Sequence, residues 1–166
     1  MRGVARIIRR QPAKYVKWCD VHLPRGNGIA IVASAFNHGG LFAEKQGGAS
    51  TCGTASHQAL GDLIWHKLDE CEFQIHHNYS HQKKTDLPAF KVSKCKTLKE
   101  FDHEYARYLV TGANGYNIIF FFQSPDLPNQ IRLEASFSKG AEPSILGAQL
   151  SGFHRSFLEA EAIARK

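Results

Sequence analysis

Tyr116-Asn117-Ile118-Ile119-Phe120-Phe121-Phe122 is apolar almost without a break, and Ile131-Arg132-Leu133-Glu134-Ala135-Ser136-Phe137 alternates apolar with polar residues. A continuous apolar run of strand length reads as a strand buried on both faces. Strict alternation reads as a strand with one face toward solvent. The Ser124–Asn129 connection carries two prolines and is short, so the two strands are expected side by side and antiparallel. This pair makes the protein a sheet protein, and the remaining elements have to pack on that sheet.

Working outward, residues 14–23 form a strand-like segment rich in Tyr15, Val16, Trp18, Val21 and Leu23. Pro24-Arg25-Gly26-Asn27-Gly28 is turn chemistry, and Ile29 to Phe36 is a second apolar run, so the two read as a β-hairpin. Leu41 to Glu44 reads as a short strand or a continuation past a bulge, and 46–51 as a loop. From Cys52 to about Glu70 the apolar positions Ala55, Ala59, Leu60, Leu63, Ile64 and Leu68 follow helical steps, with Ser50 or Thr51 as cap and Gly53 and Gly61 as weak points. Glu72 to His77 reads as a strand, Asn78 to Pro88 as a loop and Ala89 to Val92 as a brief pairing segment. Thr97-Leu98-Lys99-Glu100 is a capping box, and Leu98, Phe101, Tyr105, Tyr108 and Leu109 extend a helical face to Gly112. Leu146, Leu150, Phe153 and Phe157 mark a last helix from about Ile145. The expected order is β-β-α-β-α-β-β-α. That is an α+β domain over 14–166, with one mainly antiparallel sheet of about five strands and three helices, behind a basic arm over 1–13.

Length and composition fit this reading. The chain has 166 residues with 43% hydrophobic residues and 2 Trp, 5 Tyr and 11 Phe, enough for one sizeable core and unlike a disordered chain. No run approaches the roughly 18 apolar residues of a membrane span, and no secretory signal is evident. Cys19, Cys52, Cys71 and Cys95 lack short paired spacing, so they read as reduced thiols in a cytoplasmic protein.

The net charge of +6 is unevenly placed. Arg2, Arg6, Arg9, Arg10, Lys14 and Lys17 precede the first acid, Asp20, and the remaining basic residues balance the 15 acidic ones. A second local excess runs through Lys83, Lys84, Lys91, Lys94, Lys96 and Lys99. Concentrated basic stretches suit a polyanion, because each cation that meets a phosphate releases counterions. The leading expectation is a non-catalytic binding protein that uses Arg2, Arg6, Arg9, Arg10, Lys14, Lys83, Lys84, Lys94 and Lys96 to contact nucleic acid or an acidic protein, without membrane association. Tyr15, Trp18, Tyr79 and Phe90 lie in or beside these stretches and could stack on bases.

A competing expectation rests on Cys52. Its assignment to a helix N-terminus would stabilise the thiolate. Gln46-x5-Cys52-Gly53-x-Ala55 resembles the nucleophile segment of papain-like cysteine peptidases. The resemblance implies a cysteine-dependent hydrolase or acyl-transfer enzyme, with Cys52 as nucleophile and Gln46 as oxyanion donor. The family pattern continues with a His opening a later strand, where this chain has Asn117. A third expectation is a protein-interaction or inhibitor module working through a sheet edge or the last helix. Cys71, His76, His77, His81 and Cys95 have no recognisable metal-ligand spacing, so no metal and no cofactor are expected.

Overall fold

The computed structural model describes residues 16–38, 41–73, 86–113, 117–122, 124, 126, 131–136 and 142–166. β1 (Lys17–Pro24), β2 (Ile29–His38) and β3 (Leu41–Gly53) form a first meander. α1 (His57–Asp69) leads to the two-residue β4 (Glu72–Phe73). Two short helices follow, α2 (Pro88–Ser93) and α3 (Leu98–Glu104). β5 (Tyr105–Ala113), β6 (Asn117–Phe122) and β7 (Ile131–Ser136) form a second meander, and α4 (Pro143–Ala164) ends the chain. The sheet runs β3-β2-β1-β5-β6-β7, antiparallel at every neighbour, and β4 joins β2 in parallel. The α+β class and the mainly antiparallel sheet agree with the sequence reading. The described residues hold seven strands and four helices rather than five and three, and none of the helices is long and apolar enough to cross a membrane.

The strand-deciding segment pairs as expected, but it is fully buried on one face only. β6 pairs with β7 from Asn117↔Ser136 to Phe122↔Ile131. Ile118, Phe120 and Phe122 are buried while Ile119 and Phe121 are half-buried, so the two faces of this strand are covered unequally.

The well-covered face holds the main core. Val21, Leu23, Val32, Tyr108, Phe120 and Phe122 point from the sheet toward Leu60, Ile64, Leu146, Leu150 and Phe157 of α1 and α4. Phe122 stacks on Phe157 at 4.4 Å between ring centroids, and Tyr108 on Phe122 at 5.1 Å. α1 and α4 cross closely because two glycines leave room. A Cβ at Gly61 would sit 1.7 Å from the Pro143 carbonyl oxygen, and one at Gly147 2.0 Å from that of His57. The Tyr108 hydroxyl lies 2.7 Å from His154 Nδ1, and His154 Nε2 lies 2.8 Å from the Pro24 carbonyl oxygen. α4 is thereby tied to the β1–β2 turn. Arg25, next in that turn, donates to both Glu161 carboxylate oxygens at 3.1 and 3.3 Å and to carbonyls at the end of α3.

Three boundaries differ from the sequence reading, each for a physical reason. α1 starts at His57, where Ser56 Oγ accepts the Ala59 N–H at 3.1 Å, and Gly47 through Gly53 belong to β3. Pairing with β2 outweighs the apolar periodicity that can be traced back to Cys52. α3 stops at Glu104, and Tyr105 to Ala113 is a strand paired along β1. Its Tyr, Leu, Val and Thr residues fit a strand as well as a helical face. Ala89 to Val92 lies in the helix α2, started by Pro88 at its first position. The expected capping box is half realised. Thr97 Oγ1 accepts the Glu100 N–H at 3.1 Å, but Glu100 Oε2 accepts from the Lys96 N–H at 2.8 Å.

Candidate functional site

α2 and α3 cover part of the opposite sheet face, where Ile31, Ala89 and Phe101 form a small second core joined by Phe90, Val92 and Tyr105. The side chains that β1 and β5 send to this face include charged ones, because residues 20, 22 and 107 alternate with the core residues 19, 21 and 108. β3 contributes Glu44 through a bulge. The β2–β3 register passes from Ala33↔Ala49 to Ala35↔Glu44, and Gly47, at φ 73°, turns within the extra residues.

The result is a buried polar cluster. Asp20, His22 and Glu44 are each no more than 2% exposed. Arg107 Nη2 donates to Asp20 Oδ2 at 2.6 Å. His22 Nε2 and Glu44 Oε2 are 3.1 Å apart, and Glu44 Oε1 accepts the Ala89 N–H at 3.1 Å. Asp20 Oδ1 and His22 Nδ1 are buried and have no hydrogen-bond partner among the described residues. Burial pushes the Asp20 carboxyl well up, with Arg107 opposing and Glu44 reinforcing. Burial also acts to raise Glu44. Hydrogen bonding to His22, the neighbouring Asp20 carboxyl, the His22 charge and the Ala89 N–H outweigh it and hold Glu44 at about 2. The two carboxyls are thus pushed in opposite directions. A cavity of about 50 Å³, lined by His22, Leu87, Leu98, Phe101, Tyr105 and Arg107 among others, adjoins the cluster.

Cys52 lies in β3 opposite Ala30, five residues before α1 begins, so no helix N-terminus acts on it. It packs on the main core beside Leu63. Burial raises its thiol above the ordinary value. Its recess is lined by Thr51, Ala59, Asp62, Leu63 and His66, and His66 Nε2 is paired with Glu70 Oε1 at 2.8 Å. Gln46 is engaged elsewhere: its Nε2 donates to the Asp86 carbonyl at 3.0 Å, and its Oε1 accepts from Lys91 Nζ at 3.4 Å. The two residues stand six positions apart on one strand, about 20 Å if fully extended, and the structure does not bring them together.

Of the residues expected to contact a polyanion, Lys94 and Lys96 are exposed between α2 and α3, with Lys94 ending α2 at φ 61°. Lys91 and Lys99 are exposed on the same two helices. Arg2, Arg6, Arg9, Arg10, Lys14, Lys83 and Lys84 lie outside the described residues, as do His76, His77 and His81. Beyond α2 and α3 the same sheet face carries half-buried Leu109, Ile119 and Phe121, with Arg132 5.7 Å above the Phe121 ring.

The sequence reading missed the cluster of Asp20, His22, Glu44 and Arg107. One signal was available: Asp20 and His22 sit two apart in an otherwise apolar strand, which puts two ionisable groups on one sheet face.

No protein-family model matches this sequence, and no curated protein matches it. The fold is similar to that of a solved protein of unknown function from Neisseria meningitidis, with a TM-score of 0.60 at 13% identity over 83% of this chain and 93% of that one. At that identity the likeness concerns the fold alone.

Proposed function

We propose that this is a non-catalytic binding protein of the cytoplasm that grips a polyanion, nucleic acid in the first instance, through its basic arm and a lysine-bearing sheet face. One observation carries the reading. Lys91 and Lys99 on the two short helices and Lys94 and Lys96 between them are all exposed, and these helices pack against the face bearing Arg107 and the Arg132–Phe121 pair. Nearby acids are partly occupied locally, since Glu100 accepts from the Lys96 N–H and Glu104 approaches the Cys95 thiol at 3.5 Å. Among the described residues no carboxylate lies in salt-bridge range of Lys94, Lys96 or Lys99. The arm residues Arg2, Arg6, Arg9, Arg10 and Lys14, with Lys83 and Lys84, would extend this surface, and a ring such as Phe121 offers a base a stacking partner.

Binding of a labelled single-stranded oligonucleotide by the full chain, followed across a salt series, tests the reading. Affinity should fall steeply with salt, and K94A/K96A/K99A should reduce the slope by roughly 0.7 for each phosphate that is no longer neutralised. Deleting residues 1–12 should weaken binding while the chain still folds. Affinity that does not change with salt sinks the proposal. Binding to polyglutamate but not to the oligonucleotide moves it to an acidic protein partner.

A further inference from the structure

The cluster of Asp20, His22 and Glu44 has a layout that the polyanion reading leaves without a role. Each carboxylate has one oxygen held from outside: Asp20 Oδ2 by the Arg107 guanidinium, and Glu44 Oε1 by the Ala89 N–H. The other oxygen of each is turned inward. Glu44 Oε2 meets the His22 ring, and Asp20 Oδ1 receives no hydrogen bond from the described residues although it is buried. One candidate ligand atom from each of the three residues lies within 4.8 Å of the others. Two ligands each about 2.1 Å from one ion stand roughly 3 to 4 Å apart, so small side-chain rotations close this set around a cation. A carboxylate held by an outer donor while its second oxygen faces the ligand is the usual outer support of a metal site.

The charge argues the same way. Two buried carboxylates face one guanidinium, and the balance is negative unless a proton or a cation offsets it. A proton can serve by binding to the carboxyl pair or to the ring. Shared between the two carboxyls, it still leaves the buried His22 Nδ1 without a partner among the described residues. One imidazole with two carboxylates is a mixed nitrogen and oxygen set that suits first-row divalent ions better than calcium or magnesium. The adjoining cavity, bordered by His22 and Arg107, offers an entry route and room for a water.

We infer that Asp20, His22 and Glu44 bind one first-row divalent cation of the zinc or manganese type. The site sits between β1 and β3 with Arg107 as an outer support. It does not depend on polyanion binding.

The test uses the full chain after treatment with chelator, titrated by calorimetry with zinc chloride and separately with manganese chloride at neutral pH. One equivalent should bind to the wild type, and D20N and E44Q should each bind at least about 100-fold more weakly while keeping a folded circular-dichroism spectrum. H76Q/H77Q/H81Q should bind as the wild type does. Folded wild type that takes up neither ion at millimolar concentration overturns the inference and leaves a proton in the cluster. So does binding that survives D20N unchanged, or binding abolished in the triple histidine variant. If D20N and E44Q fail to fold, the cobalt complex and pulsed electron paramagnetic resonance of the manganese complex of the wild type decide. A single imidazole nitrogen and no thiolate charge-transfer band are expected, and a thiolate band or several nitrogens refute the assignment.

Discussion

Gly61→Ala tests the packing of α1 on α4. The added Cβ would lie 1.7 Å from the Pro143 carbonyl oxygen, 2.4 Å from its carbon and 2.9 Å from its Cα, where even 3.0 Å is essentially never seen. The obstacle is backbone at the first residue of α4, so no side-chain rotation relieves it. The helices must separate by more than 1 Å, and a gap of that size forfeits about half of each affected contact well. Leu60, Ile64, Leu146 and Leu150, all essentially buried, lie beside the crossing and are pulled apart together. Overpacking of this kind costs about 1–3 kcal/mol, and the backbone clash puts it at the upper end. Replacing a helical glycine by alanine returns about 1 kcal/mol. The expected net loss is therefore about 2 kcal/mol, close to a 1 M fall in the urea midpoint. Gly147→Ala meets the His57 carbonyl oxygen at 2.0 Å and should behave alike. Both substitutions demand the same separation, so the double variant should lose clearly less than the sum of the two. Gly152→Ala is the internal control. Nothing lies within 4 Å of its Cβ on the exposed side of α4, and it should gain about 0.5–1 kcal/mol. Gly61→Ala as stable as the wild type would refute the close crossing.

His154 should make stability fall on acidification. Burial first, and Arg25 next, hold its pKa below the ordinary value, while the Pro24 carbonyl and Glu161 pull the other way. Because the folded value is depressed, the contribution is complete above about pH 6.5 and is lost as pH falls toward the folded pKa. His154→Gln should flatten the change in urea midpoint between about pH 8 and pH 5, and an unchanged slope would show that the histidine is not the titrating group. Cys52 should react with iodoacetamide at pH 7 no faster than a free cysteine, because burial raises its thiol. Alkylation well above the free-thiol rate would revive the nucleophile reading.

The strands with a strong pattern of their own are legible in the sequence: β1, β2, β6 and β7 lie within a few residues of where apolar runs and alternation put them. β5 is not, because Tyr105, Tyr108 and Leu109 satisfy a helical period, and only pairing with all of β1 decides for a strand. The start of α1 is obscured for a related reason. Gly47 and Gly48 look like a loop, yet in β3 they allow a bulge and a close approach, with a Cβ at Gly48 reaching 2.3 Å from Ser34 Oγ. Gly61, which sequence alone marks as a defect in the helix, is the residue that lets two helices touch.

The candidate site is less legible because its residues gain meaning only from register. Asp20 and His22 belong to β1, Glu44 reaches them through the β3 bulge, and Arg107 stands opposite His22 only because β5 pairs with β1 as Val21↔Tyr108 and His22↔Arg107. The strand alternation that sends Val21 and Tyr108 into the apolar core sends His22 and Arg107 to the other face. A one-residue slip of β5 would therefore put the Arg107 guanidinium among Phe122 and Phe157 and the Tyr108 ring beside Asp20. Both changes are costly, one by burying an unpaired charge and the other by removing the Asp20 partner. The polar cluster thus helps fix the pairing of the two meanders whether a proton or a cation occupies its centre. This gives Arg107 a role in the fold that is separate from any contact with a polyanion. An Arg107→Leu variant should lose stability even at high salt, where Lys94→Ala and Lys96→Ala should show no loss.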